Sequence, residues 1–311
     1  MLNFRIRRRH NRHMTAPRGG RQDEDKTTHS NMNTRPNMSK QQVVVSLTSF
    51  PAAAPYATKA IQSVINGSVT PDRIVLYLTF AQFGTEGIPA ELTRMSEQNP
   101  VFEIRNYDTD IRSYRKLIPA LRDFPDAVIV TIDDDVAYHP NMLRDLLRLH
   151  DELPEAVIAH RAKLMKPGMP YRTWTKYRWY DFLTKRIHRS YRNIQTGVGG
   201  VLYPPGALKK DMLDEELFTR LAPTTDDIWF WAAGVANGTY VVPVPFGHNK
   251  PKGLKKPKEL SLKTVNRHRQ ERRRAESHNG EVSGNRRQTQ RRIPARRTMS
   301  HGGASGKEEL T

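Results

Sequence analysis

Apolar residues in this 311-residue chain fall into short β-branched runs separated by stretches with helical spacing. VVVSLT, Val43–Thr48, has the length and composition of a buried strand rather than a helix. Apolar side chains then recur at helical spacing over 55–66, with Gly67 placed as a C′ residue. RIVLYLT at 73–79 predicts a second strand, 89–98 a short helix, VFEIRNY at 101–107 a third strand and 113–122 a helix. AVIVTI at 127–132 predicts a fourth strand, and Pro140, suited to a first helical position, opens a leucine-rich helix to about residue 152. This β-α-β-α order predicts an α/β fold with a mostly parallel, doubly wound sheet.

The later half is less regular. AVIAH at 156–160 predicts a strand, 197–205 a glycine-rich turn and a short strand, and 226–236 a helix closed by Gly238. YVVPV at 240–244 predicts the last strand, and mixed pairing is expected in this half. Residues 41–266 are therefore read as a single α/β domain. The flanks, 1–40 and 267–311, are rich in Arg, Asn, Gln, Ser and Gly without an apolar face, and read as disordered tails.

Composition changes the picture mainly through the location of charge. A formal charge of +19 suggests nucleic acid, and an Arg-rich nucleic-acid-binding protein is one rival reading. Residues 41–266, however, carry 29 Lys and Arg against 24 Asp and Glu, an excess of five. The flanks carry 22 against 8, so most of the excess lies outside the domain and nucleic acid is not the expected partner. The absence of cysteine excludes disulfides, thiolate metal sites and cysteine nucleophiles. No secretory signal follows the basic N-terminus, and no run approaches the ~18 apolar residues that cross a bilayer. The expected location is cytoplasmic, free or peripheral to the inner face of the membrane.

Candidate chemistry begins with Asp133-Asp134-Asp135, directly after the fourth strand. Ligands of open parallel sheets bind outside the carboxyl ends of the strands. Three adjacent carboxylates repel one another, and a hard divalent cation that shares its coordination with phosphates would offset this. A polar loop in which one Asp caps the next helix is the bland alternative. Alone, the triplet suits phosphohydrolases, nucleotidyltransferases and glycosyltransferases equally. Asp226 and Asp227 precede an aromatic-rich helix, where the macrodipole favours them structurally or where one serves as a general base. Gly197, Gly199 and Gly200 allow close approach of backbone to a ligand. No GxGxxG or GxxxxGK[ST] pattern supports a dinucleotide or P-loop site.

SLTSFP (46–51), DIRSYRKLIPAL (110–121), VTIDDDVAY (130–138), GGVLYPP (199–205) and TDDIWFW (225–231) together resemble bacterial GT-A glycosyltransferases near family 2, associated with capsule or lipopolysaccharide assembly. The resemblance spans 43–244 and implies a nucleotide-diphospho-sugar transferase fold, with a nucleotide-sugar donor (a UDP-sugar first) and a saccharide or lipid-linked acceptor. By likeness, Asp133 lies towards the ribose and Asp134 beside it. Asp133 and Asp135 hold Mn2+ or Mg2+, with His248 as a further ligand. Thr48, Ser49 and Phe50 meet the base, Arg112, Ser113 and Lys116 lie near the donor, and Asp226 or Asp227 is the base of an inverting reaction.

Two features fall outside the motifs. Residues 172–192 interleave basic and aromatic side chains, which suits a lipid-linked or anionic acceptor as well as an ordinary exposed insertion. The lysines between 250 and 258 read as a solvated run, and His10, His13 and His29 have no ligand spacing.

Overall fold

The computed structural model describes residues 41–183, 188–245 and 251–254. These all belong to one unit spanning 33–311. His248, both tails and most of the 250–258 lysine run lie outside the described residues.

The strands in chain order are β1 (Val43–Thr48), β2 (Arg73–Leu78), β3 (Phe102–Asn106), β4 (Val128–Thr131), β5 (Val136–Ala137) and β6 (Val157–Ala159). They continue with β7 (Ala162–Leu164), β8 (Thr175–Lys176), β9 (Asn193–Gln195), β10 (Val201–Tyr203), β11 (Val241–Pro243) and β12 (Lys252–Gly253). The helices are α1 (Ala54–Ile65), α2 (Ala90–Gln98), α3 (Ile118–Asp123), α4 (Met142–Glu152), α5 (Glu215–Leu221) and α6 (Asp226–Ala236). Seven strands form the central sheet, in the order β11-β6-β10-β4-β1-β2-β3. All of its neighbours pair in parallel except β10, which runs antiparallel to both β4 and β6. This is the mostly parallel, doubly wound α/β architecture expected from the sequence, with the mixed pairing confined to the later half.

Alternation along the strands explains why both faces are covered. Val43, Val45 and Leu47 of β1 and Val128 and Val130 of β4 pack with α1, α2 and α4 in one apolar cluster. Val44 and Ile129 point the other way, into a cluster with Ile118 of α3, Phe218 of α5 and Phe230 of α6. No helix among the described residues is long and apolar enough to cross a membrane.

Several boundaries differ from the periodicity reading. The helix expected over 113–122 is split into a 3-10 turn (Arg112–Lys116) and α3, because Pro119 at the helix start lacks the amide that a continuous helix needs. The helix after Pro140 begins at Met142 with Asn141 as its cap, so none of the aspartate triplet caps it. Gly67 is required by close approach rather than by a positive φ: an added Cβ would lie 2.9 Å from the Val64 carbonyl. Helix α5, capped by the Asp214 carboxylate accepting from the Leu217 amide at 2.7 Å, was not expected from apolar spacing.

Candidate active site

Strand register brings the first two motifs together. Ser46 lies opposite Thr131, so Asp133, two residues beyond, falls level with Thr48 at the carboxyl ends of β1 and β4. The amide of Asp133 donates to the Tyr138 hydroxyl at 2.8 Å, which fixes the turn carrying the triplet. Ser49 donates to Asp134 Oδ2 at 2.6 Å, tying the loop after β1 to the same turn. Burial holds the Tyr138 hydroxyl well above the usual phenol range, reinforced by the carboxylates of Asp133 and Asp135, so both acidic side chains lie within electrostatic reach of it.

The 3-10 turn before α3 delivers two buried cations. Arg112 opens it at a φ of 56°, the only positive φ of a non-glycine residue among the described residues, and its amide donates to Asp110 Oδ1 at 3.0 Å. Such backbone strain costs on the order of 1–3 kcal/mol and is held by its surroundings. Arg115 donates to Thr48 Oγ1 at 2.8 Å and the Ser49 carbonyl at 2.9 Å, and also to the Thr79 hydroxyl. It thus ties the ends of β1 and β2 to the turn. Sequence reasoning passed over Arg115; its only signal was a second cation beside Lys116.

Lys116 lies at the centre of the acidic residues. Its ammonium donates to Asp133 Oδ1 at 3.0 Å and forms an ion pair with Asp226 Oδ2 at 3.0 Å. Burial acts to lower its pKa, and Asp133, Asp226 and Asp227 outweigh burial, holding it charged well above the ordinary lysine value.

Helix α6 begins at Asp226. Thr225 makes no side-chain cap, and the two aspartates in the first turn face the cluster instead of serving only the helix end. Asp227 accepts from the Gly197 amide through both oxygens, at 3.1 and 3.2 Å. Burial, then the neighbouring Asp226, pushes the Asp227 carboxyl up to about 7, and Lys116 only partly offsets this. Gly197 is the packing hub. An added Cβ would sit 2.8 Å from Lys116 Nζ, 3.2 Å from Asp227 Oδ1 and 3.3 Å from Asp133 Oδ1.

The structure therefore brings Lys116, Asp133, Asp226 and Asp227 to one point beside Thr48, Ser49 and Asp134. Phe50 is exposed, and its carbonyl accepts from the Ala53 and Ala54 amides at the entry to α1. Ser113 is half-buried, with a hydroxyl that has no hydrogen-bond partner among the described residues. Arg112 is exposed at the rim. Among the described residues no group of three or more acidic or histidine side chains is placed to hold a metal. The donor set expected from the sequence is two carboxylates, Asp133 and Asp135, which both lie within electrostatic reach of the Tyr138 hydroxyl. That suits a hard cation of the magnesium type, which takes one or two carboxylates and completes its shell with water and substrate phosphates.

No family model and no curated protein sequence matches the chain. Among solved structures, the mannosyltransferase PcManGT from Pyrobaculum calidifontis, in complex with GDP-Man and Mn2+, is similar at a TM-score of 0.42 and 16% identity. The match covers 69% of this chain and 56% of that one, so the chain spans little more than half the neighbour's length.

Proposed function

We propose that this chain is a metal-dependent, inverting GT-A glycosyltransferase that moves a sugar from a nucleotide-sugar donor to a saccharide or lipid-linked acceptor. The observation that carries the proposal is the convergence of Asp133, Asp226 and Asp227 on Lys116 and Gly197 at the carboxyl ends of β1 and β4. Five motifs in series point to the same class, and four of them meet at this site.

Roles follow from the environments. Asp133 and Asp135 would hold Mn2+ or Mg2+ against the donor diphosphate. A cation held there would supply positive charge against that developing on the departing nucleoside diphosphate. Lys116, charged and fixed, supplies a second positive centre at the same edge, available to a phosphate oxygen. Asp227 takes the proton from the acceptor hydroxyl, since a carboxyl raised to about 7 is matched to general-base work at neutral pH. Asp226, buried and ion-paired, positions Lys116 rather than moving protons. With one carboxylate acting as base on the acceptor, displacement needs no covalent intermediate. A phosphohydrolase using the same triplet would require neither Asp226 nor Asp227.

Two measurements test this reading. Asp135→Ala is expected to abolish the Mn2+-dependent part of nucleotide-sugar binding while leaving the fold intact; unchanged binding in that variant would remove the metal assignment. A base must be deprotonated, and Asp227 has a raised pKa, so kcat/KM should fall below pH 7 by about ten-fold per unit, the slope of a single proton. A profile flat from pH 5 to 8 contradicts the base assignment.

A further inference from the structure

A cleft of about 590 Å3 lies beside the carboxylate cluster, between β7, β8 and the segment after β8. Its size is that of a small-molecule site. Arg161, Lys163, Lys176 and Arg178 line it, and no Asp or Glu does. Among the described residues none of the four forms an ion pair. Lys163 stands directly opposite Lys176 in the β7–β8 register, a pairing of like charges that destabilises a ladder unless an anion offsets it. Burial, then Lys176 and Arg161, pushes the Lys163 amine below its ordinary value, in keeping with that crowding. Tyr180, which is exposed, and Tyr177, half-buried against Phe182, add aromatic surface of the kind on which sugar rings stack.

The cleft also adjoins the reacting groups. Thr196 lines it, and Gly197, the next residue, donates its amide to Asp227. The ring of Tyr171 lies 3.4 Å beneath Lys163 Nζ, and its hydroxyl is close enough to Asp227 to be raised by that carboxylate, after burial.

We infer that this cleft is the acceptor subsite and that the acceptor is an anionic oligosaccharide, held by Arg161, Lys163, Lys176 and Arg178 with its rings against Tyr177 and Tyr180. The inference rests on the glycosyltransferase reading for the word acceptor, but the binding itself does not depend on a donor.

The test is calorimetry of the full chain with tetragalacturonate, and with maltotetraose as the neutral counterpart. Lys176 and Arg178 are exposed, so Lys176→Glu/Arg178→Glu is compatible with folding, checked by an unchanged melting curve. The neutral pair Lys176→Gln/Arg178→Gln provides a second, milder variant. Arg94→Glu/Arg220→Glu makes the same charge change at exposed positions outside the cleft. Tetragalacturonate should bind and maltotetraose should not. The cleft variant should weaken tetragalacturonate by about ten-fold or more and the control pair by less than about two-fold, because neither control residue lines the cleft and salt screens exposed charges. Equal loss in both pairs, equal binding of the two sugars, or no binding of tetragalacturonate overturns the inference. So does a cleft variant that loses only binding to phosphatidylglycerol vesicles. Mn2+-dependent donor binding, measured separately, reports on the glycosyltransferase reading alone, so the two can fail independently.

Discussion

Asp227→Asn is expected to lower kcat by about 10²- to 10⁴-fold, the usual contribution of a positioned proton acceptor, while leaving donor binding near wild type. The substitution is close to isosteric. The Asn carbonyl can still accept from the Gly197 amide, which Asp227 now does through both oxygens. It also removes a negative charge beside Asp226 and Asp133, two neighbours that raise the Asp227 carboxyl. Folding stability should therefore hold or rise, which separates a lost base from a damaged site. Single-turnover transfer and donor titration on the same preparation make the distinction. Transfer at the wild-type rate, or loss of donor affinity as large as the loss of turnover, would assign Asp227 a different role.

Lys116→Met carries the largest expected effect on stability. The side chain is 8% exposed, and its ammonium lies 3.0 Å from a carboxylate oxygen on each of Asp133 and Asp226, whose side chains are 29% and 10% exposed. A methionine fills similar volume but leaves the buried acidic groups without their cation. Removing one partner of a buried charge cluster costs about 3–5 kcal/mol. The pH dependence has a defined sign. The folded-state pKa of Asp227 is already raised above its unfolded value, so it favours the folded form at low pH and opposes it once ionised. The penalty in Lys116→Met should thus be greatest above pH 7 and shrink as the pH falls from 7 towards 4. Urea unfolding at pH 8 and pH 5 checks this. A variant as stable as wild type at pH 8 would mean that the lysine does not neutralise the cluster.

The central sheet could be read from the sequence because its strands are short, β-branched and bounded by turn residues, and because helices alternate with them. β1, β2 and β4 lie within one residue of their expected ends for that reason. The antiparallel β10 sits in the GGVLYPP segment, where the glycine turn drew attention but strand direction could not be inferred from apolar residues alone. β7, β8 and β9 form a small separate sheet, and their two- and three-residue lengths leave no periodic signal. Their residues supply much of the cationic cleft, which is why a basic and aromatic stretch could be noticed without its geometry. The acidic motifs announced themselves by density: three carboxylates after one strand, two before one helix. Their meeting point depends on the β1–β4 register and on a strained turn at Arg112, both long-range matters. Arg115 was hidden for the opposite reason. Its role is to tie strand ends together, and nothing in its neighbours' spacing marks an arginine as buried.

Metal-dependent donor binding is decided by calorimetry of the full chain against a panel of nucleotide sugars, including UDP- and GDP-linked forms, each with and without Mn2+. Saturable binding of at least one nucleotide sugar, lost when Mn2+ is withheld, is the expected result. Binding that is indifferent to the metal, or no binding by any donor while the chain remains folded, would contradict it.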